Sequence, residues 1–220
     1  MPDRLPAGIL CDMDGLLLDS ERLARDAFVR ACADHGWAAD LDVYHRCIGS
    51  TYEQTREILT AAFGPEFPYE AIDARWSSHY HARLARGPVP VKDGAVELLE
   101  HLARRRVPVV LVTSTHRPTA EVKLRAARLL GFFEGLICGG ETARGKPHPD
   151  PYLSAAGRLG VEAGRCWALE DSANGVRAAH GAGCMVFQVP DLVPPDDDLR
   201  KLGHRIVTTL HDVREALEAL

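Results

Sequence analysis

The sequence predicts an α/β fold: a doubly wound parallel sheet interrupted by an inserted, all-helical block. Three observations predict it. From Val91 onward, short apolar runs alternate with helical patterns, which requires crossover connections and a parallel sheet covered on both faces. A lone apolar run, Ile9-Leu10-Cys11, stands near the start and reads as a buried strand of the same sheet, where near-continuous apolar residues belong. Between the two, residues 19–90 carry helical periodicity and no strand-like run. The expected organisation is a core built from residues 1–18 and 91–220, with residues 19–90 as a helical domain inserted into it.

Taken in order, the first strand ends at Asp12, Asp14 and Gly15, where glycine lets the chain turn sharply. Ser20 can cap a helix through about His35, with Leu23, Ala27 and Ala31 on one face and Gly36 at its end. Ser50 and Glu53 have capping-box spacing, and Ile58, Leu59, Ala62 and Phe63 supply an apolar face before Gly64. Tyr69, Ile72, Trp76 and Tyr80 recur at helical spacing, a stripe read as packing. Gly87-Pro88-Val89-Pro90 closes the block as a linker. Thereafter helix 94–104 precedes strand 107–112, helix 118–130 precedes strand 135–138, helix 151–159 precedes strand 166–169, and helix 173–181 precedes strand 184–189. A weak strand near Ile206 and a helix from about Asp212 finish the chain, and residues 194–198 read as an exposed loop.

The 220 residues are 46% hydrophobic, enough to bury a sizeable core. A net charge of −5 argues against a nucleic-acid surface, and Arg104 to Arg106 read as the solvated end of a helix. No apolar stretch approaches the ~20 residues of a membrane span, and the first residues show no export signal. Six cysteines without a C-x-x-C spacing suggest reduced thiols, no zinc site and a cytoplasmic protein. His79 and His81 face opposite directions on a helix and make a poor metal pair. A monomer is expected.

Four clusters carry chemistry. Asp12 and Asp14 lie two apart, so extended backbone projects both carboxylates to one side. They emerge at the carboxyl end of a strand, the usual ligand position in such sheets. Two like charges that close require a cation or a shared proton. Thr113, Ser114 and Thr115 follow the second strand, where hydroxyls and free amides bind phosphate oxygens or cap a helix. Lys146, between Gly145 and Pro147, sits on a constrained loop and is either a site cation or a surface charge; Asp150 can cap the helix beginning at Pro151. Glu170 and Asp171 form a second acidic pair at another strand end. That suggests a Mg²⁺ site, since hard cations choose oxygen ligands; helix capping by Asp171 or Ser172 is the alternative.

In this order the motifs DMDGLLLDS, VTST, GKPHPDPY and LEDSANG resemble those of the haloacid dehalogenase (HAD) superfamily of phosphotransferases. The helical insertion between the first two is similar to that family's small cap domain, and within the family the chain looks most like the phosphatases related to β-phosphoglucomutase. The resemblance implies a Rossmann-like core with Asp12 as nucleophile and Asp14 as general acid and base. Thr113, with Ser114, and Lys146 would bind the transferring phosphoryl group. Mg²⁺ would sit on the Asp12 carboxylate, the Asp14 backbone carbonyl and Asp171, with Glu170 close by.

These implied roles make physical sense. A carboxylate with a reference pKa of ~3.9 is already ionised at neutral pH. Repulsion from a phosphate dianion, about 4 kcal/mol per charge pair at ~4 Å and an effective dielectric of ~20, is offset by Mg²⁺ and Lys146. Neighbouring carboxylates are expected to raise the proton affinity of Asp14. The implied reaction is hydrolysis of a small phosphorylated metabolite, such as a sugar phosphate, through an aspartyl-phosphate. A sugar-phosphate isomerase like β-phosphoglucomutase is the nearest alternative. Ala24 stands where the mutase has a histidine, Tyr52 near its cap arginine, and His116 and Arg117 where it makes further contacts, which favours hydrolysis. Ser50, Thr51, Tyr52, His116 and Arg117 are the candidate substrate contacts. A non-enzymatic phosphoacceptor or binding protein is the alternative of another class, and a receiver-like domain would not need the inserted helices.

Overall fold

Among the described residues the sequence forms six strands, β1 (Gly8–Cys11), β2 (Val109–Val112), β3 (Gly135–Ile137), β4 (Cys166–Glu170), β5 (Met185–Gln188) and β6 (Arg205–Ile206). They build one sheet in the order β3-β2-β1-β4-β5-β6, and every neighbouring pair is parallel. The structure is a computed structural model describing residues 5–220. Residues 1–4, part of the expected core segment and of the stretch read as lacking an export signal, lie outside the described residues. In β1, Cys11 pairs with Leu111 on one side and Leu169 on the other. The strand order reverses at β1, the switch point at which open α/β sheets bind ligands. The carboxyl ends of β1, β2 and β4 therefore bring Asp12, Thr113 and Glu170–Asp171 to one edge.

After β1 come α1 (Glu21–Asp34), α2 (Leu41–Cys47), α3 (Tyr52–Phe63) and α4 (Tyr69–Leu84). They share a hydrophobic cluster of their own, built on Phe28, Cys32, Tyr44, Leu59, Phe67 and Ile72. Phe28 lies 5.4 Å from the ring of Tyr44 and 5.0 Å from that of Trp76. The Trp76 indole donates to the Ala24 carbonyl at 2.8 Å, tying α4 to α1.

The remaining helices are α5 (Ala95–Arg104), α6 (Arg117–Ala126), α7 (Asp150–Arg158), α8 (Ala173–Gly181), α9 (Asp197–Arg200) and α10 (Leu210–Glu218). Strand alternation sorts the core into two layers. Ile9, Val109, Leu111, Trp167 and Phe187 pack with the apolar faces of α5, α6 and α10. Leu10, Val110, Cys166, Ala168 and Val186 pack with α7 and α8. Each fully buried leucine in these layers contributes about 1.5–3 kcal/mol. All six cysteines are free and buried, two per cluster: Cys11 and Cys138, Cys166 and Cys184, Cys32 and Cys47.

Local chemistry departs from the sequence reading in five places. The Ser20 hydroxyl does not cap α1; it donates to Asp14. The capping box lies one residue later than expected, on Thr51 and Gln54, and Ala62 of that helix is exposed. A separate helix, α2, forms because Asp40 accepts from the amides of Asp42 and Val43. Asp150 does not cap α7: it lies in the first turn and binds Arg144 at 2.9 Å. The expected loop at 194–198 includes the start of α9, capped by Asp196. At the other end of the acidic strand, Ser172 does cap α8, accepting from the Gly175 amide.

The two chain crossings between the helical block and the sheet run side by side. The Asp19 amide donates to the Pro90 carbonyl and the Lys92 amide to the Leu17 carbonyl, both at 2.9 Å. Asp191, whose side chain is buried, binds Arg22 at 2.9 Å and Lys92 at 2.6 Å and so clasps both crossings. Among the described residues no helix is long and apolar enough to cross a membrane.

Candidate active site

The site is assembled from strand ends. Asp12 and Thr113 are almost fully buried, as is Lys146 from the loop before α7. The Lys146 ammonium donates to Asp12 Oδ1 and Glu170 Oε1, each at 2.5 Å, and to the Val112 carbonyl at 2.9 Å. That uses all three of its protons and removes the surface-charge reading. Burial works against this ammonium, yet Asp12 and Glu170 hold its pKa above the ordinary lysine value.

Glu170 is wholly buried and also accepts from the Tyr152 hydroxyl at 2.5 Å and from Ser172 at 3.2 Å. It faces the lysine, not the open cavity. Two glycines make room for this acidic cluster. A Cβ on Gly175 would lie 1.9 Å from the Glu170 carboxyl carbon, and one on Gly15, at φ +80°, would lie 2.2 Å from Asp171 Oδ2.

Asp12, Glu170 and Asp171 each offer a carboxylate oxygen within 4.8 Å of the others. Burial pushes the Asp12 carboxyl up, Glu170 and Asp14 add to this, and Lys146 opposes it. Burial likewise raises Asp171, with Asp12 and Glu170 contributing. Three buried carboxylates thus cluster beside one ammonium, which binds two of them, Asp12 and Glu170. An all-oxygen donor set with excess negative charge fits a hard divalent cation.

Asp14 has a different environment. Its carboxylate receives Lys123 at 2.6 Å, Ser20 at 2.5 Å, Thr115 at 2.7 Å and Thr113 at 3.4 Å. Burial pushes its pKa up, but the Lys123 charge and these hydrogen bonds bring it below the ordinary value. The expectation that neighbouring carboxylates raise it is therefore wrong: Lys123 and the hydroxyls outweigh them. Its side chain stands outside the acidic cluster of Asp12, Glu170 and Asp171. Lys123, buried and 5.0 Å from the centre of the Tyr80 ring, was missed from the sequence. The available signal was its place in the buried stripe of Ala120, Lys123 and Leu124, where a lysine needs a partner.

A cavity of about 340 Å³ opens above these groups, with Asp12, Asp14, Thr113, Lys146 and Asp171 on the sheet side. On the helical side, Tyr69, Trp76 and Tyr80 of α4 line it together with Tyr44, so the stripe read as packing is also cavity wall. Of the candidate substrate contacts, Ser50 and Tyr52 line this cavity, as do Ser114 and Ala24. Thr51 and His116 line the adjoining cleft. The His116 ring faces the Gly139 carbonyl at 3.0 Å. Arg117 lines neither space; its guanidinium is held by Glu141 at 2.6 and 2.8 Å and by the Leu136 carbonyl at 3.0 Å. His79 is paired with Asp34.

Comparison with known proteins agrees with this arrangement. The model of the haloacid dehalogenase-like hydrolases matches residues 6–183. The probable pseudouridine-5'-phosphatase of Drosophila melanogaster is 34% identical over 186 residues, covering 82% of this chain and 80% of its own. The phosphorylated carbohydrates phosphatase of Thermotoga maritima is 30% identical over 175 residues, with 80% and 81% covered. A solved structure of a CbbY variant from Rhodobacter sphaeroides with xylulose-(1,5)bisphosphate superimposes with a TM-score of 0.78 at 27% identity, covering 94% of this chain and 95% of that one. The matched span runs from the first aspartate pair through the acidic strand end, and the chain belongs to the haloacid dehalogenase-like hydrolase family.

Proposed function

We propose that the protein is a Mg²⁺-dependent phosphomonoesterase that hydrolyses a small phosphorylated metabolite, with residues 19–90 acting as a cap over the sheet edge. The observation that carries this reading is the pair of differently equipped aspartates: Asp12 within a buried acidic cluster beside Lys146, and Asp14 held by Lys123, Ser20 and Thr115. Asp12, Glu170 and Asp171, with the Asp14 carbonyl, would hold Mg²⁺. When bound, it offsets the negative charge of the acidic cluster and of the phosphoryl oxygens.

An Asp12 carboxylate oxygen attacks phosphorus, the bond to the leaving oxygen breaks, and an aspartyl-phosphate forms on Asp12. Lys146 and Thr113 neutralise and orient the transferring oxygens. Asp14 gives a proton to the departing alkoxide and takes one from the water that attacks next, returning Asp12 and inorganic phosphate. The incoming phosphate adds negative charge beside Asp14 and raises its proton affinity. The cap excludes water during the first step.

Ala24 and Tyr52 on the cavity wall, in place of an acid–base side chain and an arginine, support hydrolysis over isomerisation. Relatives named as phosphatases of carbohydrates and of pseudouridine phosphate support a small organic phosphate. Asp12→Asn is expected to lower phosphate release from p-nitrophenyl phosphate below about one-thousandth of wild type, and a chelator is expected to abolish it in the wild type. Unchanged turnover in the variant would sink the mechanism. Conversion of a sugar 1-phosphate into its 6-phosphate, with little free phosphate, would favour the isomerase.

A further inference from the structure

The sheet side of the cavity serves one phosphoryl group; the helical side meets whatever carries it. There, α4 turns Tyr69, Asp73, Trp76 and Tyr80 toward the cavity, spaced so that they fall on one helical stripe. Glu21 and Tyr44 stand beside them on that wall. It combines aromatic rings with two carboxylates and holds no lysine, arginine or histidine among the described residues.

The cations that do line the cavity, Lys123 and Lys146, are both engaged, one on Asp14 and the other on Asp12 and Glu170. The other basic groups nearby lie off this wall, His116 and His81 in the adjoining cleft. Arg117 is held by Glu141. The Nδ1 atoms of His116 and His81 face the carbonyls of Gly139 at 3.0 Å and Ser77 at 2.8 Å. Asp73 is different: it is half-buried and its carboxylate is hydrogen-bonded to none of the described residues.

A second phosphate placed on this wall would bring about −1.5 to −2 charges against Asp73 with no cation on that wall to receive them, a juxtaposition that selects against such partners. Hydroxyl groups fit the same wall. They donate to free carboxylate oxygens, while the carbon faces of a sugar ring pack on Trp76 and Tyr80. We propose that the cavity selects monophosphates of uncharged polyols, and that Asp73 is the residue that rejects a second phosphate. The proposal rests on the phosphatase reading above.

Phosphate release by the Mg²⁺-loaded protein tests it, with glucose 6-phosphate against glucose 1,6-bisphosphate, fructose 6-phosphate against fructose 1,6-bisphosphate, and p-nitrophenyl phosphate as a generic ester. The expected kcat/KM for the monophosphates exceeds that for the bisphosphates by at least about tenfold. Asp73→Asn is expected to shrink that ratio by about tenfold through faster bisphosphate turnover, and Ser77→Arg, which adds a cation to the same wall, to shrink it likewise. Hydrolysis of p-nitrophenyl phosphate with bisphosphates preferred overturns the selectivity and leaves the phosphatase reading standing. The selectivity is overturned in the same way if both variants keep the wild-type ratio, or if no polyol monophosphate is hydrolysed. Failure to hydrolyse any ester overturns both.

Discussion

Glu21 shows how one side chain links the cavity to stability. Burial, with Asp14 and Asp191 nearby, pushes its carboxyl from 4.5 up to about 7. A carboxyl raised in the fold favours the folded state while protonated. That contribution is whole below the unfolded value and is lost as pH rises through the folded one. Glu21→Gln, neutral at every pH, is therefore expected to match wild type below about pH 4 and to exceed it by about 3 kcal/mol near pH 8. Urea midpoints of the metal-free proteins measure the difference. At the same scale, Gly175→Ala places a methyl against the Glu170 carboxyl and should cost about 1–3 kcal/mol by overpacking, read from the same titrations. The carboxylates, Thr113 and Lys146 were legible because their spacing places them at strand ends. Lys123 was not, because its place in a buried helical stripe marks a lysine in need of a partner without naming Asp14, 109 residues away in the chain, as that partner.

At the scale of elements, the strands were legible because a sheet covered on both faces needs continuous apolar runs, as in Cys166 to Leu169. Helix ends were less so. Ser20 has the composition of a cap, but its hydroxyl is drawn to the charged Asp14 carboxylate, a stronger acceptor interaction than a neutral cap. Ser50 and Glu53 have the spacing of a capping box, yet the chain uses Thr51 and Gln54. Thr51→Ala is accordingly expected to cost about 1 kcal/mol and Thr51→Ser to recover most of it in thermal unfolding. The α4 stripe held two roles that periodicity cannot separate. Ile72 is buried in the helical cluster, whereas Asp73, beside it in sequence, faces the cavity.

Across the whole molecule, two chain crossings and one buried carboxylate join the helical block to the sheet. The sequence marks the crossings by Gly87 to Pro90 but says nothing of the clasp, since Asp191 lies 169 residues from Arg22. Asp191→Asn is expected to destabilise the protein by about 1–3 kcal/mol. The loss should shrink at high salt because both cations are partly exposed, a comparison made by unfolding at low and high salt. The distribution of cysteines gives the molecule a further property. Each of the three hydrophobic clusters encloses two thiols, and burial pushes Cys32 up to about 11 and Cys47 and Cys184 up to about 12. An alkylating reagent can therefore reach a thiol only when the cluster around it opens. The six cysteines form a set of internal clocks, two for each layer of the fold, whose separate rates time the breathing of the helical block against that of the sheet.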